Sequence, residues 1–124
     1  MRVLLDTHLL LWALASPGKL SSKARRQIDS SEVFASAASI WEISIKSALG
    51  KLQADPAEVL SGIEPAGFDH LHITGEHTAA VANLPHLHKD PFDRLLIAQA
   101  MKERMILLTD DELLGGYGDF VQVV

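Results

Sequence analysis

Short apolar runs alternate along the chain with longer segments in which apolar residues recur at helical spacing. The runs Val3-Leu4-Leu5, Val33-Phe34-Ala35, Ile106-Leu107-Leu108 and Val121 to Val124 predict β-strands, with Leu71-His72-Ile73 as a weaker fifth. They are continuously apolar rather than alternating, as a parallel sheet covered on both faces requires. Helices are predicted near 8–15, 21–29, 39–49, 56–63, 76–83 and 92–104, so the order is βα alternation and the fold class is α/β. Trp41, Ile45, Ala48, Leu49 and Leu52 share one face of the 39–49 helix, which predicts that this face packs on the sheet, with Gly50 as the C-terminal stop. Leu95 to Ala98 is apolar nearly all round, which predicts a central, buried helix. No repeat, low-complexity tract or linker interrupts residues 1–124, so one domain is expected.

The 124 residues are enough for a self-sufficient core, since a chain of this size buries roughly two-thirds of its unfolded surface. The absence of cysteine excludes a disulfide framework, thiol catalysis and a Cys-type zinc site, and agrees with the expected cytoplasmic location. Arg2, the apolar stretch to Ala15 and Ala13-Leu14-Ala15 imitate a signal peptide, but Asp6 and His8 interrupt the stretch. It is also too short to span a bilayer, and no membrane association is expected. A net charge of −5 argues against nucleic-acid binding by bulk positive charge. A phosphate substrate would need a bound divalent cation or a few placed Lys and Arg residues.

Candidate chemistry lies in the acids. In an open parallel sheet, ligands bind beyond the carboxyl ends of the strands, and four acids fall there. Asp6 follows the first strand, Glu42 lies in the first turn of the helix after the second, Asp93 opens the long buried helix, and Asp111 follows Ile106-Leu107-Leu108-Thr109. Each has a purely structural alternative. Ser39-Ile40-Trp41-Glu42 has the pattern of a capping box, and Glu42 and Lys46 form an i, i+4 pair, so structure and function are equally open for Glu42. Asp90-Pro91 reads as N-cap plus Pro at N1, which leaves Asp93 free for chemistry. Asp93, Asp110, Asp111 and Glu112 could each simply favour the positive end of a helix, and Asp6 could be a turn residue. Crowded together, however, such acids would repel one another unless a hard cation neutralised them. Mg²⁺ suits an oxygen-only set of this kind, with Mn²⁺ as the alternative. There is no HExxH or EF-hand spacing.

These residues resemble the PIN-domain ribonucleases, and among them the VapC-like toxins of type II toxin–antitoxin pairs. Leu4-Leu5-Asp6-Thr7-His8 is similar to the opening motif, and Ser36 to Ile43 followed by Gly50-Lys51-Leu52 to the second block. The most specific stretch is His88-Lys89-Asp90-Pro91-Phe92-Asp93-Arg94 and on to Ala100, and Leu107-Leu108-Thr109-Asp110-Asp111 resembles the last block. The resemblance covers essentially the whole chain. It implies a PIN-like three-layer fold, with a short, mostly parallel sheet flanked by helices, and a metal-dependent endoribonuclease. Asp6, Glu42, Asp93 and Asp111 would be its catalytic and metal-binding acids, with Asp90 and Asp110 as runners-up. It further implies cleavage of single-stranded or structured RNA to leave a 5′-phosphate, homodimers, and a cognate antitoxin that blocks the acids.

In that scheme one or two Mg²⁺ ions activate a water for in-line attack on the phosphodiester, and no side-chain nucleophile is needed. Thr7, Ser39 and Thr109 are candidates to hold the acids by hydrogen bonds, Ser39 being equally an N-cap. Lys46, Lys51, Lys89 and Arg94 are candidates to meet the RNA backbone, against the alternative of a solvated charged surface. His86 and His88, two loop histidines without a Cys or third His partner, are read as surface or hydrogen-bonded residues outside the site. Two other classes compete. A phosphoacceptor or phosphohydrolase domain also gathers acids around Mg²⁺, but Asp6-Thr7-His8 lacks the DxD pair. A non-catalytic RNA- or partner-binding module would not need all four acids.

Overall fold

The computed structural model describes residues 1–124. Its centre is a five-stranded, wholly parallel sheet of β1 (Arg2–Leu5), β2 (Glu32–Ser36), β3 (Asp69–Leu71), β4 (Ile106–Thr109) and β5 (Val121–Val123), in the order β3-β2-β1-β4-β5. The helices are α1 (Thr7–Ala15), α2 (Ser22–Asp29), α3 (Ala37–Ala48), α4 (Pro56–Gly62), α5 (Gly75–Ala80) and α6 (Pro91–Glu103), with 3-10 turns at 17–19, 81–83 and 112–117. The weak fifth strand is real but starts two residues earlier than its apolar run, because Asp69 and His70 pair with Phe34 and Ala35 at the edge of β2.

Continuous apolar strands divide their side chains between two cores. Leu4 and Leu107 point into a cluster with Leu95, Leu96, Ile97, Ala98 and Leu114. Val3, Leu5 and Leu108 point the other way, to Leu9, Leu10, Ile63 and Phe68. Helices therefore cover both faces and the architecture has three layers, as burial of both faces of a parallel sheet demands. On α6 every residue from Arg94 to Ala100 is buried, in line with its all-round apolar pattern.

One expectation is overturned. Trp41, Ile45 and Leu49 are exposed, at 56%, 36% and 63%, and the buried residues of α3 are Ala38, Ser39, Glu42 and Ile43. The helix turns a mixed polar and apolar face inward because its N-terminal half lines the acidic cleft, and its most apolar stripe is left outside. Its C-terminus ends as expected: Gly50 takes φ +72° while Lys51 N–H and Gly50 N–H bond the carbonyls of Lys46 and Ser47.

Because all five strands are parallel, the segments following β1, β2 and β4 emerge at one edge. A helix that returns to the start of a parallel strand begins at that same edge, which brings in the N-terminus of α6.

Candidate metal centre

At the carboxyl edge these segments enclose a cleft of about 240 Å³ lined by Asp6, Glu42, Asp90, Asp93, Asp110 and Asp111 together with Thr7, His8, Lys46 and His88. No apolar residue lines it, and Lys46 is its one lysine or arginine. All four acids singled out in the sequence, and both runners-up, meet here. Another cavity, of about 450 Å³, lies away from these acids between α3, α4 and β3, with Trp41, Leu60 and Leu71 in its wall.

Asp6 is 4% exposed and serves as N-cap of α1, its Oδ1 accepting from Leu9 N–H at 2.9 Å. Its Oδ2 accepts from the Thr109 hydroxyl at 2.5 Å, and Thr109 Oγ1 in turn accepts from Asp111 N–H at 3.0 Å. The ends of β1 and β4 are thus tied through a buried carboxylate. Burial pushes the Asp6 carboxyl above the ordinary aspartate range, against the lowering effect of these hydrogen bonds.

Glu42 is 6% exposed and engaged at both oxygens: Oε1 accepts from Thr7 at 2.7 Å and Oε2 from Lys46 Nζ at 2.5 Å. The ion pair raises the Lys46 ammonium above its usual value, the hydrogen bond to Glu42 being the largest cause. The capping box that the Ser39 to Glu42 pattern left open is absent. Ser36 is the N-cap of α3, its Oγ accepting from Ala38 N–H, so Ser39 falls inside the helix, fully buried, with its hydroxyl 3.0 Å from that of Thr7. Glu42 lies beyond the reach of a capping role and faces the cleft instead.

Asp90 is the cap its sequence context predicts: Oδ1 accepts from Phe92 N–H and Asp93 N–H at 2.8 and 2.9 Å, and Pro91 occupies the first helical position. That frees the side chain of Asp93. Burial, then the charges of Asp90 and Glu42, push its carboxyl up to about 7. Asp111 caps the following 3-10 turn through Oδ1 and Leu113 N–H, and Asp110 stands 4.0 Å from His8 at the rim.

Two placements differ from expectation. Arg94 is 9% exposed and points away from any substrate: its guanidinium donates to the carbonyls of Val81, Leu84 and Pro85 and to the Tyr117 hydroxyl. One turn inside a helix buried all round, a long cation reaches carbonyls of the preceding segment rather than solvent. His88, by contrast, is inside the site, with Nε2 3.0 Å from Asp93 Oδ2 and 3.5 Å from Asp111 Oδ2. Its position two residues before a helix-capping aspartate was the available signal. His86 and Lys89 are exposed, as expected.

The donor set is almost wholly carboxylate oxygen, and one member is raised to about 7 by burial first and then by the acids around it, which fits a hard divalent cation. Fold and site together define an open α/β protein with an acidic cleft at the carboxyl edge of its sheet. The PIN domain model matches residues 3–117, and the chain belongs to that family. Among solved structures it is similar in fold to VapBC2 from Rickettsia felis, bound to a DNA fragment from their promoter, at 12% identity and TM-score 0.70 over 100% of this chain and 98% of that one. A toxin–antitoxin complex from Klebsiella pneumoniae matches at 16% identity and TM-score 0.66, covering 98% and 96%. FitAcB from Neisseria gonorrhoeae matches at 20% identity and TM-score 0.66, covering 98% and 95%. No curated protein matches the chain. No helix is long and apolar enough to cross a membrane.

Proposed function

We propose that this protein is a Mg²⁺- or Mn²⁺-dependent endoribonuclease acting on single-stranded RNA, and the toxin of a toxin–antitoxin pair in the cytoplasm. The observation that carries this reading is the convergence of Asp6, Glu42, Asp93 and Asp111, from four separate segments, on one cleft with a single lysine among its lining residues. Membership of the PIN domain family supports it. These four acids would hold the metal, with Asp90 and Asp110 close by. The bound ion would supply an acidified water and neutralise charge at phosphorus, so that a water oxygen–phosphorus bond forms as the bond to the leaving ribose oxygen breaks.

The chain's own residues set the acids in place. Thr109 orients Asp6, Thr7 and Lys46 orient Glu42, and Asp90 fixes the helix start that presents Asp93. Lys46, Lys51 and Lys89 are the cations left to meet an RNA backbone, since Arg94 is engaged inside. A phosphoacceptor role is disfavoured because Asp6-Thr7-His8 lacks the DxD pair. An antitoxin or a second copy of the chain would cover the exposed apolar side chains Trp41, Ile45 and Leu49 of α3 and Leu60 of α4.

The test is cleavage of single-stranded RNA by the purified chain with added Mg²⁺ or Mn²⁺. Cleavage should vanish with chelator and in Asp6→Asn of unchanged circular dichroism. Metal-independent cleavage, or a transient aspartyl-phosphate, overturns the reading.

A further inference from the structure

The chain carries a net charge of −5, yet its cations are not spread evenly along it. Lys19, Lys23, Arg25 and Arg26 fall within eight residues, and no acid occurs between Asp6 and Asp29. All four are exposed, and none forms an ion pair with a carboxylate. Their placement follows from how α2 packs. Ala24 is buried and Leu20 and Ile28 pack beside it on the core that contains Leu9 and Leu10, so Arg26, half a turn from Ala24, stands on the outward side. Lys23 Nζ donates to the Val123 carbonyl at 3.5 Å and Gln27 bonds Gln122, which seats this side of α2 against β5. Arg25 gives one donor to the Pro17 carbonyl at 2.8 Å and keeps the others free. Val123 is in register with Thr109, the residue that orients Asp6. Only β4 lies between β5 and β1, so about 10 Å separates the strand that Lys23 touches from the one that Asp6 follows.

We propose that this cationic face of α2, extended by Lys19, is a second binding surface, which holds phosphates of a single-stranded RNA whose scissile bond lies in the cleft. The identity of the ligand rests on the ribonuclease reading. The cleft itself cannot hold flanking phosphates by charge, because six carboxylates line it and its one lysine is engaged by Glu42. A bound cation inverts the field only where it sits, so a strand that runs past the acids needs cations beyond them. α2 supplies them beside the end of β5, and no ion pair has to break before they meet phosphate. A merely solvated helix ordinarily mixes both signs at i, i+3 and i, i+4 spacing. Asp29 has those spacings from Arg26 and Arg25 and pairs with neither. An acidic polypeptide would meet the same cations, but the neighbouring cleft would repel it, whereas a phosphodiester has a metal to meet there.

The test is the salt dependence of binding to a fluorescent, mixed-sequence single-stranded RNA, measured by anisotropy on the full chain with chelator present to prevent cleavage. In the double variant Lys23→Gln, Arg26→Gln the slope of log affinity against log salt should fall by about 1.4, and affinity at moderate salt by on the order of tenfold. The charge-keeping double variant Lys23→Arg, Arg26→Lys should retain the wild-type slope. Lys102→Gln, which removes an exposed cation at the far end of α6, should leave it nearly unchanged. For an RNA that the wild type cleaves with added Mg²⁺ or Mn²⁺, the Gln pair should raise KM by on the order of tenfold and keep kcat. An unchanged slope in the Gln pair overturns the proposal. So does an equal loss per charge in Lys102→Gln, which would make the effect one of net charge and not of this surface. Retention of RNA binding by the Gln pair with loss of binding to a polyglutamate peptide would make the partner an acidic polypeptide and overturn it too. A wild type that binds no RNA overturns the surface; one that binds RNA through α2 but cleaves none overturns the ribonuclease reading and leaves the surface standing.

Discussion

The hydroxyl of Thr109, the last residue of β4, donates to Oδ2 of Asp6, the residue following β1, across 2.5 Å of buried space. This contact joins neighbouring strand ends and orients an acid of the cleft. In Thr109→Val the carboxylate loses a donor it cannot replace from water, and Asp111 N–H loses its acceptor. Urea unfolding should register a loss of about 1–3 kcal/mol, with Thr109→Ser close to wild type.

Asp93 links stability to pH. Its carboxyl is raised from 3.8 to about 7 in the fold, so between these values the folded chain holds a proton that the unfolded chain has released. Below the lower value both states are protonated and nothing is lost; as pH rises through the window, the folded state is increasingly disfavoured. Asp93→Asn removes this effect. The metal-free variant should gain on the wild type with rising pH, by on the order of 1–3 kcal/mol above neutrality. A constant difference between the two across a pH series of denaturation curves would contradict the shift.

The same proton competes with metal. Calorimetric titration with Mg²⁺ or Mn²⁺ near neutral pH, repeated in buffers of different ionisation enthalpy, should reveal release of up to about one proton per binding event, and less in Asp93→Asn. Saturating metal should also raise the melting temperature of the wild type, but not that of Asp6→Asn.

Arg94 supports the fold rather than the substrate. Arg94→Ala strands the carbonyls of Leu84 and Pro85, leaves Val81 only its Leu84 N–H donor, and opens space beneath the loop, so a loss of roughly 2–4 kcal/mol is expected. The salt dependence of RNA binding should stay unchanged in any folded Arg94 variant. A slope reduced by about one would mean that Arg94 meets phosphate after all.

On α3, Ile45→Lys and Leu49→Lys should change the stability of the isolated chain by no more than about 0.5 kcal/mol, because both side chains project outward. Losses of several kcal/mol would restore this face to the core.

Local chemistry made much of this protein legible before any coordinates. Continuous apolar runs define buried parallel strands whatever their neighbours, and Asp90-Pro91 is a helix start by its own stereochemistry. The order of strands, helices and acids along the chain was enough to place Asp6, Glu42, Asp93 and Asp111 at one sheet edge, since a parallel sheet sends every strand end the same way. Which face of α3 turns inward was beyond periodicity: Trp41, Ile45 and Leu49 form the more apolar stripe, but the cleft draws in Ser39 and Glu42, and that competition is settled only when Thr7, at the start of α1, supplies a partner from a remote segment. Arg94 and His88 exchanged expected surroundings for the same reason. Their partners, the carbonyls of Val81, Leu84 and Pro85 for one and the carboxylates of Asp93 and Asp111 for the other, are assembled by chain packing, and a side chain's polar contacts are fixed by what packing brings within about 3 Å of it, not by its neighbours in sequence.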